Sequence, residues 1–232
     1  MPVVSSSSNS FRTARWLQKA GYAPQVFVFR NLESGQVCYS QLPTINPRYV
    51  NKLQFKQCNK LNRTPDFKRR DIWKAMCVIN LTTYKDSIQV FQNLNRLRFF
   101  RDVQYKKQND ELRKKHCGNV FQDGRYAPVF AQEAVADIKE SLLKSGIDFS
   151  KLTGNEVTLH WEDEWRKGDL NMFWNKDLPQ VKHEMIERSL NTGREESVIL
   201  KKLGDLAKLN WNVTDDDMVF KKMLNKETKV TA

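Results

Sequence analysis

A nearly continuous apolar run covers residues 72–81 and is interrupted only by Lys74 and Asn80. A strand with one solvated face would alternate apolar and polar positions, and this run does not. Strands without alternation lie inside sheets that are covered on both faces. The pattern therefore predicts a central, buried strand.

The helix predicted after this strand begins at Thr82 or Thr83, because either residue can act as its N-cap. Asp86 then falls in the first turn, where a carboxylate stabilises the helix dipole. From Tyr84 onward apolar residues recur at every third position: Ile88, Phe91, Leu94, Leu97, Phe100 and Val103. At 3.6 residues per turn this series drifts around the helix, so we expect packing on more than one side.

Residues 25–41 carry the pattern of a β-hairpin. The run at 26–29 predicts one strand, residues 37–39 predict the return strand, and the polar stretch 31–35 supplies the turn. Gly35 can adopt the positive φ that such turns require. A short helix at 48–55 then leads towards the central strand, which gives the order β-β-α-β-α.

The predicted fold class is α+β, with a small sheet that consists of the hairpin and a third strand. Appended helices and an extended C-terminal half complete it. We divide the chain into a basic N-terminal arm or targeting segment (1–24), a basic α/β nucleic-acid-binding core (25–130), a helical and aromatic extension (131–209) and a loosely ordered tail (210–232).

Two helices are predicted in the second half of the chain. The first places Ala131, Val135, Ile138 and Leu142 at helical spacing and ends at Gly146. The second opens with a capping box at 192–195 and carries apolar Val198, Ile199, Leu203 and Leu206.

The stretch 147–178 between these helices is irregular and aromatic. We interpret its aromatic residues as side chains that pin an extended segment onto the core or onto a protein neighbour: Trp161, Trp165, Phe173 and Trp174. A role against phosphates is disfavoured because Glu162, Asp163 and Glu164 lie among them.

The hairpin resembles the GIY-YIG nuclease fold, in which two short strand motifs are separated by ten residues and an arginine follows on the next helix. Residues 25–27 and 38–40 have that separation, and Arg48 stands at the place of the arginine. Phe27 lacks a phenolic hydroxyl and Cys38 replaces a tyrosine, so both groups that would activate a water are missing. The resemblance implies a degenerate form without nuclease activity and with Phe27 in the core; an active nuclease is the less favoured alternative.

Positive charge is concentrated in the first half of the chain. Residues 1–130 hold 23 Lys and Arg against 8 Asp and Glu, whereas residues 131–232 hold 16 against 19. One-sided positive charge indicates a polyanionic partner, nucleic acid before anionic membrane. No apolar run approaches the roughly 20 residues that cross a bilayer.

Residues 1–24 contain no acidic residue and combine a serine tract with Arg12, Arg15 and Lys19. This composition is typical of a mitochondrial targeting segment. A basic arm that lies on RNA is the alternative, and the two interpretations are compatible.

Basic and aromatic residues are interleaved from residue 68 to 115, which is the mixture that neutralises phosphates and stacks on bases. The candidate nucleic-acid contacts are Arg12, Arg15, Arg48, Lys68, Arg69, Arg70, Lys74, Arg96, Arg98, Arg101, Lys106, Lys107, Arg113, Lys114 and Lys115. The candidates for base stacking are Phe99, Phe100 and Tyr105. A solvated helix face would explain any one of these residues, but the whole cluster favours nucleic acid.

Catalytic and metal-binding motifs are missing from the sequence. The histidines His116, His160 and His183 have no second ligand at metal spacing. The cysteines Cys38, Cys58, Cys77 and Cys117 form no C-x-x-C pair, so we interpret them as reduced core thiols. The acids at 162–164 point in different directions and fit a solvated or arginine-paired loop. No Walker A motif is present, so any remodelling of nucleic acid proceeds without ATP hydrolysis, and we expect neither enzyme activity nor a cofactor.

Several long stretches resemble the fungal mitochondrial homologous recombination protein, a family that is also a component of the yeast mitochondrial large ribosomal subunit. They are FRNLESGQVCYSQ, RRDIWKAMCVINL, QNLNRLRFFRDV, LRKKHCGNV, QEAVADIKESLLK, HWEDEWRKGDLNMFWN and REESVILKKL, and they span about residues 11–209. The resemblance implies a mitochondrial matrix protein with two roles. One is structural, on large-subunit rRNA and neighbouring mitoribosomal proteins; the other is ATP-independent pairing of single- and double-stranded mitochondrial DNA. A DNA recombination or transcription factor that acts free of the ribosome is the alternative.

Overall fold

The computed structural model describes residues 11–32, 35–45, 72–109, 111, 129–147, 149, 157–168, 170–174, 177–188 and 193–209. The predicted helix at 48–55, the capping residue Thr192 and the tail at 210–232 lie outside this part of the chain.

A five-stranded sheet forms the centre of the fold. Its strands are β1 (Gln25–Asn31), β2 (Val37–Ser40), β3 (Trp73–Asn80), β4 (Thr158–Trp161) and β5 (Lys182–Met185), in the spatial order β2-β1-β3-β4-β5. Neighbouring strands are antiparallel except for β4 and β5, which are parallel. The helices are α1 (Ala14–Lys19), α2 (Tyr84–Phe99), α3 (Val129–Leu143), α4 (Leu170–Phe173) and α5 (Arg194–Leu209). The α+β class is confirmed.

The hairpin and the central strand are confirmed. β1 pairs with both β2 and β3, and Gly35 adopts a φ of 72° in the turn between β1 and β2. In β3 only the two polar positions, Lys74 and Asn80, are partly exposed. The strand is therefore covered on both faces, as the lack of alternation predicts.

The two faces of the sheet pack against different helices. On one face Val26, Val28 and Met76 belong to a large core with residues of α2 and α3, among them Leu94 and Ile138. On the other face Phe27, Phe29, Trp73 and Val78 pack with Leu200 of α5. Phe27 is thus buried, which confirms its predicted core position.

Helix α2 begins at the predicted cap. Thr83 Oγ1 accepts the Asp86 N–H at 3.1 Å and donates to the Asp86 carboxylate at 2.6 Å. The helix contacts α1, α3, β1 and β2, so the prediction of packing on several sides is confirmed. Not every residue of the apolar series is buried, however: Val103 is 48 % exposed.

The second half of the chain contributes more to the sheet than the sequence indicates. β4 lies within the stretch 147–178 that we expected to be irregular, and β5 follows that stretch. Trp161 and Trp174 are fully buried in the larger core. Helix α3 ends before Gly146, as predicted, where φ is 72°. In α5, Ile199 and Leu200 are buried.

Two of the positions that we assigned to the apolar face of α5, Val198 and Leu206, are exposed. Among the helices in the described ranges, none combines the length and the apolar character needed to span a membrane.

Candidate nucleic-acid interface

Exposed basic and aromatic side chains lie along the last turns of α2 and on the segment that follows it. Arg96, Phe99 and Val103 are three and four residues apart, so they lie along one helical face. Phe99 is 46 % exposed and Tyr105 is 51 % exposed, while Lys106 and Lys107 are exposed beside them. We call Arg96, Phe99, Val103, Tyr105, Lys106 and Lys107 the outer stripe.

Phe100 has a different environment from the other two stacking candidates. Its ring is half-buried, and the Arg96 guanidinium lies over it at 5.3 Å from the ring centroid. Phe99 meets the same ring edge to face at 6.4 Å. Phe100 therefore holds Arg96 and Phe99 in place, and the accessible rings of the stripe belong to Phe99 and Tyr105.

A widened helical turn at Phe100–Gln104 follows α2 and precedes Tyr105, Lys106 and Lys107 of the outer stripe. The Tyr105 N–H donates to the Phe100 carbonyl at 2.8 Å, one residue further back than in an α-helix. The Arg101 carbonyl instead accepts the Asn109 side-chain amide at 2.8 Å. Residues 103–108 are all exposed, so Tyr105 and both lysines lie at the surface where the chain leaves this turn.

Arg101 points inward from the same turn. It makes a bidentate ion pair with Asp137 of α3, in which Nη1 lies 2.9 Å from Oδ2, and Glu133 lies 3.6 Å away. The Tyr39 hydroxyl donates to the same Asp137 carboxylate at 2.8 Å. Burial raises the pKa of Tyr39, and Asp137 raises it further. Burial lowers the pKa of Arg101, but its bonds to Asp137 outweigh this and raise it above the ordinary arginine value.

Two further candidates are also held by carboxylates within the chain. Arg98 is buried, and its Nε lies 3.3 Å from Asp102. The Lys74 ammonium lies 3.5 Å from Glu162, which also pairs with Arg30 at 3.4 Å. Glu162 is therefore an arginine-paired acid, as its sequence context predicts.

A second basic and aromatic cluster lies at the N-terminal arm. The Arg12 guanidinium covers the Trp16 ring at 4.2 Å, and Trp16 stacks on Tyr22 at 5.9 Å. The arm is fixed because the Gln41 side chain accepts the Arg12 N–H at 2.5 Å and donates to the Arg12 carbonyl at 3.1 Å. Arg15 is exposed on α1.

The Tyr84 hydroxyl donates to the Tyr22 carbonyl at 2.7 Å, so this cluster adjoins the first turn of α2. The outer stripe begins near the other end of the same helix, roughly 20 Å away at 1.5 Å per residue. The remaining candidates lie outside the described residues: Arg48, Lys68, Arg69, Arg70, Arg113, Lys114 and Lys115.

The described residues include no group of three or more His, Cys, Asp or Glu that could hold a metal ion. Cys38 and Cys77 are buried free thiols, as predicted, and burial raises the pKa of Cys38 to about 12. A thiol with so high a pKa is not an activated nucleophile at neutral pH. His116, Cys58 and Cys117 lie outside the described part.

Sequence reasoning did not identify Asp137 and Gln41, which position the basic residues. The sequence around Asp137 indicated a buried acid, because this carboxylate lies beside Ala134 and Ile138 on the buried side of α3. An acid at such a position requires a partner. No local pattern indicated the role of Gln41, because its partner Arg12 is 29 residues away in sequence.

Comparison with known proteins identifies relatives over most of the chain. Residues 23–108 match the family model Mhr1, described as "Transcriptional regulation of mitochondrial recombination". The chain is 51 % identical over 192 residues to a protein of Kluyveromyces lactis named "Large ribosomal subunit protein mL67", a match that covers 82 % of this chain and 84 % of the relative. Proteins with the same name in Eremothecium gossypii and Debaryomyces hansenii are 48 % and 39 % identical, over 87 % and 83 % of this chain and 90 % and 77 % of theirs.

Proposed function

The chain belongs to the family of large ribosomal subunit protein mL67, and we propose that it is a structural RNA-binding component of the large ribosomal subunit in the mitochondrial matrix. The names of the relatives support the ribosomal part of this proposal. The description of the matching family model supports the mitochondrial part.

The outer stripe is the observation that carries the RNA-binding part. Three exposed cations, Arg96, Lys106 and Lys107, flank two accessible rings within about three helical turns. Cations neutralise phosphates without reading sequence, and flat rings stack on unpaired bases of any kind. The outer stripe therefore binds an RNA backbone through its cations and stacks on adjacent bases through its rings. Arg12, Arg15 and Trp16 extend the contact beyond the other end of α2.

Arg98, Arg101 and Lys74 have a different role in this proposal. Their charges are compensated by Asp102, Asp137 and Glu162, so a phosphate would have to compete with a carboxylate that is already in place. We assign to these three residues the positioning of the surface rather than the direct contact.

Ultraviolet crosslinking in intact mitochondria tests the proposal. The chain is purified under denaturing conditions and the attached nucleic acid is sequenced. We expect large-subunit rRNA, with crosslinked peptides that include Phe99 or Tyr105. Attachment mainly to mitochondrial DNA would contradict the ribosomal role.

ATP-independent pairing of homologous DNA is a second candidate function, favoured by the description of the matching family model. The outer stripe suits DNA phosphates as well as RNA phosphates, because backbone contacts are alike in both. The test is strand pairing by the purified chain without nucleotide. We expect pairing that is lost when Arg96, Lys106 and Lys107 are replaced by Gln; no pairing by the unaltered chain would remove this role.

We infer that the chain is not an enzyme, and the nuclease alternative has a direct assay. Plasmid and single-stranded DNA are incubated with the purified chain in magnesium or manganese. No nicking is expected, because Phe27 is buried and carries no hydroxyl. Metal-dependent nicking that disappears in the Arg48→Ala variant would overturn this inference.

A further inference from the structure

Trp165 is the most exposed of the large apolar side chains in the described ranges, at 89 %. It lies on a single 3-10 turn, Glu164–Lys167, that follows β4. By contrast, Trp161 and Trp174, which flank this turn in sequence, are fully buried. An indole left in water forgoes the burial that stabilises other tryptophans, and a binding partner that covers the ring would restore it.

The turn that carries Trp165 is firmly attached to the core. Asp163 caps it by accepting the Trp165 N–H at 3.2 Å, and the Trp174 indole N–H donates to the Lys167 carbonyl at 2.8 Å. Just before the turn, the Glu162 N–H donates to the Met76 carbonyl of β3 at 2.9 Å. Trp165 is therefore presented on a fixed support, and binding through it orders little additional backbone.

The most exposed charge beside the indole is negative. The turn holds equal numbers of acids and bases at 163–167, but they differ in exposure. The Glu164 side chain is 75 % exposed, whereas its partner Lys167, at 2.8 Å, is only 15 % exposed. Arg166 is only partly exposed and lies close to Arg30 as well as to Glu162 and Asp163. A phosphate that approached Trp165 would meet the Glu164 carboxylate first, which disfavours nucleic acid.

We propose that Trp165 anchors the chain to a neighbouring protein, with its indole in an apolar pocket that is edged by lysine or arginine. Tryptophan is among the residue types that contribute most to the binding energy of protein interfaces. A cation at the pocket edge complements Glu164 and selects the orientation of docking. This surface is separate from the outer stripe, so the chain contacts nucleic acid and protein through different elements.

Photo-crosslinking in intact mitochondria tests this proposal without assuming what particle contains the chain. Trp165 is replaced by p-benzoylphenylalanine, and the exposed Leu206 of α5 is replaced in the same way as the matched control. After irradiation the chain is purified under denaturing conditions and its crosslinked peptides are identified. We expect one protein partner, joined at a peptide with apolar residues and a lysine or arginine, at a yield about tenfold above that from position 206.

A charge reversal then tests the predicted pocket edge. Glu164→Lys in the crosslinking chain should lower the yield about tenfold, because two cations would meet at the interface. Glu140→Lys, which alters a similar exposed ion pair between Glu140 of α3 and Lys144, should leave the yield unchanged. Crosslinks mainly to nucleic acid, a yield no higher than at position 206, or insensitivity to Glu164→Lys would each overturn the proposal.

Discussion

Arg101 and Asp137 form a bidentate ion pair that ties the widened turn at the end of α2 to the middle of α3. The residues are 36 positions apart in sequence, and Tyr39 of β2 donates to the same carboxylate. One buried acid thus connects the sheet, α3 and the turn that carries the outer stripe. A single change at Asp137 should therefore affect both stability and binding.

We expect Asp137→Asn to lower the free energy of unfolding by about 3 kcal/mol, because it leaves the Arg101 guanidinium without its carboxylate. RNA affinity should fall as well, since the turn that presents Tyr105 loses its attachment. Urea denaturation and RNA titration of the folded variant measure the two effects. Tyr39→Phe is the matched control: it removes one hydrogen bond, costs about 1 kcal/mol and keeps the ion pair. Equal losses in both variants would contradict a special role for the ion pair.

The charge of the outer stripe should determine how RNA binding depends on salt. Replacement of Arg96, Lys106 and Lys107 by Gln should flatten the slope of log affinity against log salt by about 2, at roughly 0.7 per phosphate for single strands. The control replaces three exposed lysines of α5, Lys201, Lys202 and Lys208, by Gln and should keep the slope. An unchanged slope in the stripe variant would place the contact surface elsewhere.

The rings of the stripe should contribute independently of charge. Phe99→Leu and Tyr105→Leu should each weaken binding of unpaired RNA about tenfold with the same salt slope, because stacking on a base is lost. Val103→Ala removes an exposed apolar side chain between them and provides the control. If all three variants bind alike, the rings do not stack on bases.

His183 should make the fold less stable in acid. Its Nδ1 accepts the Trp161 indole N–H at 3.0 Å, and burial followed by the nearby Lys167 lowers its pKa to about 4. The unfolded chain takes up this proton near pH 6.5 and the folded chain only near pH 4, so stability is fully present above pH 6.5 and is lost as the pH falls through this window. Burial lowers the pKa of His160 in the same direction.

The measurement is thermal or urea unfolding as a function of pH. His183→Gln keeps an acceptor for Trp161 but cannot be protonated. Between pH 6.5 and 4 the free energy of unfolding of this variant should therefore fall by about 1 kcal/mol less than that of the unaltered chain, after allowance for solvent screening. A variant whose loss in this window equals that of the unaltered chain would show that His183 is not the group that titrates.

The sequence predicted those elements whose patterns are local. The hairpin has its turn and both strands within residues 25–41, and the nearly continuous apolar run of β3 lies within ten residues. By contrast, β4 and β5 have four residues each, and β5 is the polar segment Lys-His-Glu-Met. They form because they pair with β3 and with each other, which no local pattern can indicate.

The candidate site was predicted only in part, because some of its residues are positioned by contacts that leave no local pattern in the sequence. The every-third-residue apolar series runs on to Phe100 and Val103, but the widened turn at Phe100–Gln104 changes the helical period there. Arg98 and Arg101 match Arg96 in type and differ from it in surroundings. Their inward direction depends on Asp102 and on the distant Asp137, so composition alone could not separate contact residues from positioning residues.

Sedimentation of mitochondrial lysate tests the central claim most directly. In a sucrose gradient at physiological salt, the full chain should be found in the peak of the large ribosomal subunit. The variant with Gln at 96, 106 and 107 should shift towards the top of the gradient, while the control variant with Gln at 201, 202 and 208 should stay in the peak. Absence of the unaltered chain from the large-subunit peak would contradict the account.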